Sequence, residues 1–513
     1  MVRHARARQN CIVAKLDDSS RYDVNMNKQY GRADLARIAA KAMVDRGLVA
    51  EFSIASLNQL ASFDKPSQES APDIRDLRTL LWCSIDNEES RDLDQLSVCE
   101  VLPNGVVKVL VAIADVDTLV KKGSSIDDCA QQNTTSVYTA ARIFPMLPEQ
   151  LSTDLTSLNA HVDRLAMVTE LVFDSEAKIT SSTIYRATVR NQAKLAYDNV
   201  AAWLEGKGDM PADIRAVAGM DTQIRTQDAV SQKLRKRRFE QGALEFVTIQ
   251  SRTVFSGDQV VDVEQQQPNR ARQLIEELML ATNGVTARFL ASKGYSALCR
   301  VVRSPERWLK IVEVAKDLGE VLPVEPDSKA LEAFLRKRRE ADPLRFPDLS
   351  LVVVKLMGAG EYALQLAGAA TVGHFGLAVR EYSHSTAPNR RFADLVTQRI
   401  LKAAIVGAPA PYSDTELEAL AKHCNEQGSD ANKVERQVRK SEAALVLQAR
   451  LGEVFDGIVT SASSKGVWVR VFRPPVDGRL SGPGEIPRIG QKVKAKLTSV
   501  DVERGFIDFE EVK

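Results

Sequence analysis

Between Ser84 and Gln95 the chain reads SIDNEESRDLDQ, which sets Asp86, Asp92 and Asp94 close together at the end of the apolar run LLWCSI. Carboxylates crowded where a buried strand ends repel one another unless water or a cation neutralises them. Residues two apart on an extended strand share a face, so Asp92 and Asp94 can point the same way, with Asp86 returning from the loop before them. Three converging carboxylates would make a hard-oxygen site suited to Mg²⁺, or to Mn²⁺. The same spacing also describes a solvated acidic loop, the commoner fate of a charge cluster. Spacing alone leaves both readings open.

The elements that would position these acids follow along the chain. TLLWCSI, LSVCEVL and GVVKVLVAIADV read as strands, with PNG as the turn between the last two. RLAMVTELVFD and STIYRATVR continue the strand texture, and AYDNVAAWLEG, RARQLIEELMLATNGVTARFLASKG, SPERWLKIVEVAKDLG and SKALEAFLRKRRE read as helices. Mixed elements over so long a stretch indicate one large α/β, or α+β, domain. Ahead of it, RADLARIAAKAMVDRGL reads as an amphipathic helix, and FDKPSQESAPD as a polar, proline-bearing linker. After Arg450, short alternating segments separated by glycine turns indicate a small five-stranded barrel of the OB type. The expected division is a short helical region with room for a helix-turn-helix at 1–74, the large domain at 75–450 and the barrel at 451–513.

A chain of 513 residues is too long for a single core. No run of about 18 apolar residues is present, so no membrane span is expected. The start, MVRHARARQN, is basic without the apolar centre of a secretory signal. A cytoplasmic location is expected, with organelle import left open. The six cysteines form no C-x-x-C pair, which argues against a zinc site or a disulfide framework. A net charge of +1 neither requires nor forbids a nucleic-acid partner.

SIDNEESRDLDQ resembles the signature of the RNase II family, the RNB catalytic domain, whose usual form is T-I-D-x-x-x-x-x-D-x-D-D. Further blocks match in the same order: VAIADV, TTSVYTAARIFPMLPEQLSTDLTSLN, LRKRRFEQGALEF, RQLIEELMLATN and HFGLAVREYSHSTAPNRRFADLVTQRIL. The resemblance covers roughly residues 75–450, and the closing sixty residues resemble the S1-type RNA-binding barrel that follows this domain. It implies 3′→5′ hydrolysis of single-stranded RNA to nucleoside 5′-monophosphates with Mg²⁺ as cofactor, by a chain expected to be a monomer. Two cations a few ångströms apart can activate a water and stabilise the attacking and leaving oxygens.

By that resemblance Asp86, Asp92 and Asp94 are the metal-site carboxylates, with Asp94 the most sensitive. Gln95 stands where the family has a fourth acid; an amide oxygen can bind a cation but brings no charge. Arg390 matches an arginine that faces the scissile phosphate, and Glu435 an acid near the active site. Tyr138 and Phe246 match aromatics that clamp terminal bases, while Glu276 matches a position near a ribose, where a carboxylate helps separate RNA from DNA. On pattern alone Phe246 is a core strand residue, and Glu276 and Glu435 are ordinary helix glutamates. In the barrel Phe455, Trp468 and Phe472 are candidates for stacking on bases, with Phe455 and one neighbour expected in the core. His374 reads as structural. Residues 1–74 are too few for the two cold-shock-type barrels that precede this domain in well-known members. An RNA-binding regulator with a silent catalytic fold is the alternative, turning on Gln95; a nuclease directed at DNA is a third reading.

Overall fold

The computed structural model describes residues 30–512, apart from 248–249, 267–268, 304, 306, 344, 464–465 and 483–486. The basic start and Cys11 lie outside the described residues. The first described helix, α1 (Arg32–Val44), and the second, α2 (Ile54–Leu60), dock on different partners. α2 lies against α3 (Ser125–Asn133), where the Ser56 hydroxyl donates to the Ser125 carbonyl at 2.7 Å.

The large domain is built on a seven-stranded sheet. In chain order its strands are β1 (Ile74–Asp76), β2 (Cys83–Asp86), β3 (Gln95–Val101) and β4 (Val107–Ala114). A two-strand ribbon, β5 (Val137–Tyr138) and β6 (Ile143–Phe144), intervenes before β7 (Asp163–Phe173), β8 (Ile179–Arg190) and β9 (Ala193–Ala196). The spatial order is β1-β8-β7-β4-β3-β2-β9, antiparallel except for the two outer pairs, β1 with β8 and β2 with β9. β4 is buried from Val109 to Ala114, as expected for an uninterrupted apolar run in a central strand. The strand expected over TLLWCSI begins only at Cys83, because residues before it turn back: the Trp82 indole N–H donates to the Leu77 carbonyl at 2.8 Å.

Helices cover the sheet: α4 (Tyr197–Leu204), α5 (Ala212–Ala216), α6 (Met220–Glu240) and α7 (Arg270–Ser292). Between α6 and α7 runs the hairpin β10 (Gln250–Ser256) and β11 (Gln259–Gln266). A second apolar core forms among α8 (Trp308–Asp317), α9 (Ser328–Ala341) and α10 (Phe346–Met357), around Trp308, Ile311, Phe334 and Phe346. β12 (Ala297–Val301) pairs with β13 (Glu361–Gln365). α11 (Phe392–Val406) is buried continuously from Phe392 to Leu401, and the 35-residue α12 (Asp414–Gln448) leads to the barrel. A Ser413–Glu416 capping box starts α12.

The barrel closes as β14 (Val454–Ser463), β15 (Gly466–Phe472), β16 (Pro475–Ser481), β18 (Phe506–Val512) and β17 (Lys492–Asp501). In β17, Val493, Ala495 and Leu497 point inward and the lysines between them outward. The barrel core continues into Leu35 and Ile38 of α1 and Ala444 and Leu447 of α12. Among the described residues no helix is long and apolar enough to cross a membrane. The five described cysteines are free.

Candidate active site

β2 and β3 pair at a single position, Cys83 opposite Ser97, and then part. The loop 87–94 joins them, so the acidic stretch lies where two neighbouring strands of the sheet part. Asp86 ends β2; its Oδ1 accepts from the Asn87 N–H at 2.7 Å and the Ser90 hydroxyl at 3.0 Å. Asp94 directly precedes β3, is 1% exposed, and its carbonyl accepts from Ala114 N–H at 3.0 Å. Gln95 opens β3 opposite Ile113 and is 8% exposed.

Arg390 reaches this point from the segment before α11. Its Nε donates to Asp94 Oδ2 at 2.8 Å, and the Asn389 N–H donates to Asp94 Oδ1 at 3.3 Å. The Arg390 carbonyl accepts from the Ser136 N–H at 3.0 Å, which ties the arginine to the loop bearing Tyr138. The Tyr138 hydroxyl donates to Asp92 Oδ2 at 3.1 Å, and Glu435 Oε1 on α12 accepts from the Tyr138 N–H at 3.0 Å. Four distant stretches of sequence thus meet through Asp92, Asp94, Tyr138, Arg390 and Glu435.

Charge couples the three aspartates. Burial pushes the Asp94 carboxyl up to about 6, with Arg390 pulling it down and the Asp92 charge pushing it further up. Burial likewise raises Asp86, against the pull of the Asn87 and Ser90 hydrogen bonds and of Arg390, while Asp92 adds to the rise. Buried carboxylates that repel one another are the condition a cation relieves. Among the described residues, no three His, Cys, Asp or Glu side chains converge as a closed metal cluster. Each aspartate is instead held by its own protein donor. The donor set fits Mg²⁺, which keeps several waters and takes one or two carboxylates plus substrate phosphates.

Among the described residues, the other expected residues make no hydrogen bond or ion pair with Asp92, Asp94, Tyr138, Arg390 or Glu435. Glu276 on α7 is half exposed and sits 3.4 Å from Arg238 Nη2. Phe246 is not on a strand: residues 243–247 are irregular, and its ring packs beside the helical core of Trp308 and Phe346. The pattern GALEF looked strand-like because its apolar residues contact that core without a ladder. Trp468 on β15 is half-buried, Phe455 lies in the barrel core and Phe472 is 45% exposed. His374 sits in a tight turn whose Leu377 N–H donates to its Nδ1 at 3.2 Å.

Sequence reasoning missed the far side of the acids. Arg272 of α7 donates from Nη2 to Asn87 Oδ1 at 2.6 Å and stacks on Tyr197, 4.5 Å from the ring centroid. Burial and the Asp86 charge both raise the Tyr197 hydroxyl's pKa. No spacing links residues 87, 197 and 272; the tyrosine at the start of a helix after a short strand was the only local sign.

Comparison with known proteins agrees with this architecture. The RNB domain family matches residues 74–407, and the RNase II-type exonuclease C-terminal S1 domain matches residues 453–512. Ribonuclease R of Escherichia coli is 30% identical over 85% of this chain and 57% of its own length. Ribonuclease R of Aquifex aeolicus is 29% identical over 85% of this chain and 64% of its own. The chain therefore spans about three fifths of the length of such relatives. The apo structure of Mycoplasma genitalium RNase R superposes with a TM-score of 0.84 at 22% identity, covering 93% of this chain and 78% of that one. With the acidic signature at the strand ends, the RNB match across most of the large domain and the S1 match on the closed barrel, the chain belongs to the RNase II family of RNB-domain proteins.

Proposed function

We propose that the chain is a metal-dependent 3′→5′ exoribonuclease that hydrolyses single-stranded RNA to nucleoside 5′-monophosphates. One observation carries the reading: the Asp94–Arg390 contact at 2.8 Å, which sets a buried carboxylate and a guanidinium side by side at the ends of β2 and β3. Among the described residues only Nε of Arg390 is engaged by a side chain, so both terminal nitrogens are available to fork onto phosphate oxygens. Asp86, Asp92 and Asp94 would hold Mg²⁺, which when bound polarises the phosphate and lowers the pKa of water.

The protein supplies position. Tyr138 offers its ring to a base while its hydroxyl holds Asp92, so seating the strand and ordering a ligand carboxylate are one event. Glu435 fixes the Tyr138 backbone and acts here as a positioning residue. The base-independent character of stacking suits a nuclease that takes any sequence. A soluble monomer acting in the cytoplasm is the setting we infer for this activity.

The test is a time course on 5′-labelled single-stranded RNA with Mg²⁺. Wild type shortens the label progressively, EDTA stops it, and Asp94→Asn lowers the rate at least about a hundredfold while RNA still shifts on a gel. Undiminished shortening by Asp94→Asn, or a wild type that binds RNA without shortening it, rejects the reading. The same assay on DNA separates the ribose preference.

A further inference from the structure

A cavity of about 540 Å³ lies directly behind the candidate active site, between α12, the β12–β13 ribbon and the strand of chain that carries Arg391. It shares a wall with that site. Ser136, which holds the Arg390 carbonyl, and Glu435, which holds Tyr138, both line it. Its volume falls in the range of about 300–1,000 Å³ typical of small-molecule sites.

The lining is cationic. Arg300, Arg391, Lys433 and Arg436 face Glu361 and Glu435. Two of the acids' charges are already committed: Glu361 pairs with Arg303 at 2.8 Å and Glu435 lies 3.6 Å from Arg439. Lys433 pairs with Asp430. Arg300 and Arg436 make no ion pair among the described residues, and Arg300 instead stacks on Tyr362, 4.8 Å from the ring centroid. Arg391 pairs with Asp394 through Nη2, but its Nε is buried without a hydrogen-bond partner. A buried, unpartnered guanidinium N–H costs stability unless an acceptor arrives. Beside these cations, Ser429 and Asn432 of α12 line the cavity, and their side chains make no hydrogen bond among the described residues. The surface therefore offers three guanidinium groups to an anion and a hydroxyl and an amide to a neighbouring polar body.

We propose that this cavity is a product site, binding a nucleoside 5′-monophosphate with its phosphate among Arg300, Arg391 and Arg436 and its nucleoside along Ser429 and Asn432. The assignment rests on the exoribonuclease reading for the source of the ligand. The cleaved terminal nucleotide carries a phosphate dianion and must leave a site already crowded with aspartates. A basic chamber one wall away gives it a destination that the RNA chain, still threaded past Tyr138, does not block. Occupancy there returns as product inhibition.

The test is equilibrium dialysis of AMP against the full-length protein in EDTA, so that no cation bridges nucleotide to the aspartates. AMP should bind wild type, and Arg300→Met or Arg436→Met should each weaken it about tenfold, the loss of one charge-assisted hydrogen bond. Asp94→Asn should leave it unchanged. Arg436 is on the exposed side of α12, so its variant keeps the test available if Arg300→Met fails to fold. The assignment is overturned if AMP does not bind wild type, if both arginine variants bind it equally well, or if Tyr138→Ala abolishes binding, which would place AMP at the clamp. Inorganic phosphate binding as tightly as AMP would also overturn it, by removing the nucleoside contacts. A wild type that binds AMP with the expected arginine dependence yet fails to shorten RNA would sustain the site and reject the nuclease reading.

Discussion

Asp94 is gripped at both oxygens, by a backbone N–H and by a guanidinium, in a place where water hardly reaches. Its neighbour in charge, Asp92, is held instead by the Tyr138 hydroxyl, which separates two properties of one ring. Tyr138→Phe keeps the stacking face and removes the hydroxyl, so KM for RNA should change little while kcat falls severalfold. Tyr138→Ala removes both and should raise KM about tenfold, from a stacking contribution of about 1–3 kcal/mol per base. Steady-state kinetics on a uniform oligonucleotide distinguish the two; equal effects on KM would deny the ring its stacking role. His374 gives a pH prediction away from the acids. Burial holds its imidazole down to about 4, with Arg300 adding to the effect. The folded state then resists a proton that the unfolded chain accepts near its ordinary value of about 6.5. Its contribution to stability is present above that value and is lost as pH falls toward 4, by up to about 3 kcal/mol. Urea unfolding at pH 7 and pH 4.5 should show a smaller acid loss for His374→Gln than for wild type.

Among the elements, α11 bears the greatest responsibility for the site, because Arg390 stands just before its first turn. Its position is set by ion pairs rather than by apolar contact alone. Arg399 donates to Asp117 at 3.0 Å and to Asp127 and the Val120 carbonyl at 2.7 Å each, and Lys402 reaches Asp115 at 2.9 Å. Asp115 also meets Arg186, whose other face holds Glu69 of the linker before β1. The linker is thereby fastened to the sheet. Arg399 is 4% exposed in its side chain and Asp127 3%, so removing the cation leaves the buried Asp127 without its ion-pair partner, while Asp117 keeps Lys402 at 3.0 Å. Arg399→Met should destabilise the large domain by about 3–5 kcal/mol, read from the urea midpoint. A change under 1 kcal/mol would mean that water enters and replaces the guanidinium.

The whole molecule is held together along α12, which touches α1, β5, β13 and the barrel in turn. At the barrel the approach is close. Gly505 has φ +67°, and a Cβ there would stand 2.8 Å from Lys440 Cβ and 3.0 Å from the Gln437 carbonyl oxygen. Beside it Glu503 pairs with Arg37 of α1, and Arg470 of β15 lies 3.6 Å from Asp348 of α10. Gly505→Val meets both the backbone penalty and the collision, so the barrel should lift from α12. Limited proteolysis should then cut between residues 449 and 453 faster than in wild type, and KM for RNA should rise with no change in the barrel's own fold. An unaltered cleavage pattern would show that the shared core of Leu35, Ile38 and Leu447 suffices without the turn.

Local sequence determined much of this protein. The central strands, the long helices and the alternating strands of the barrel follow from apolar period, which acts over a few residues and needs no partner. The acidic signature and the blocks around Tyr138 and Arg390 carried the family. Tertiary structure alone decided what those residues do to one another. That Asp94 meets Arg390, that Glu435 holds the backbone of Tyr138, and that Arg272 reaches Asn87 depend on chain crossings of nearly two hundred to three hundred residues. The cavity of Arg300, Arg391 and Arg436 has no sequence signature, because its charges come from a strand, a loop and a helix that only packing brings to one wall. Periodicity reports which face of an element is buried; it carries no information about what lies opposite, and electrostatics is set by what lies opposite.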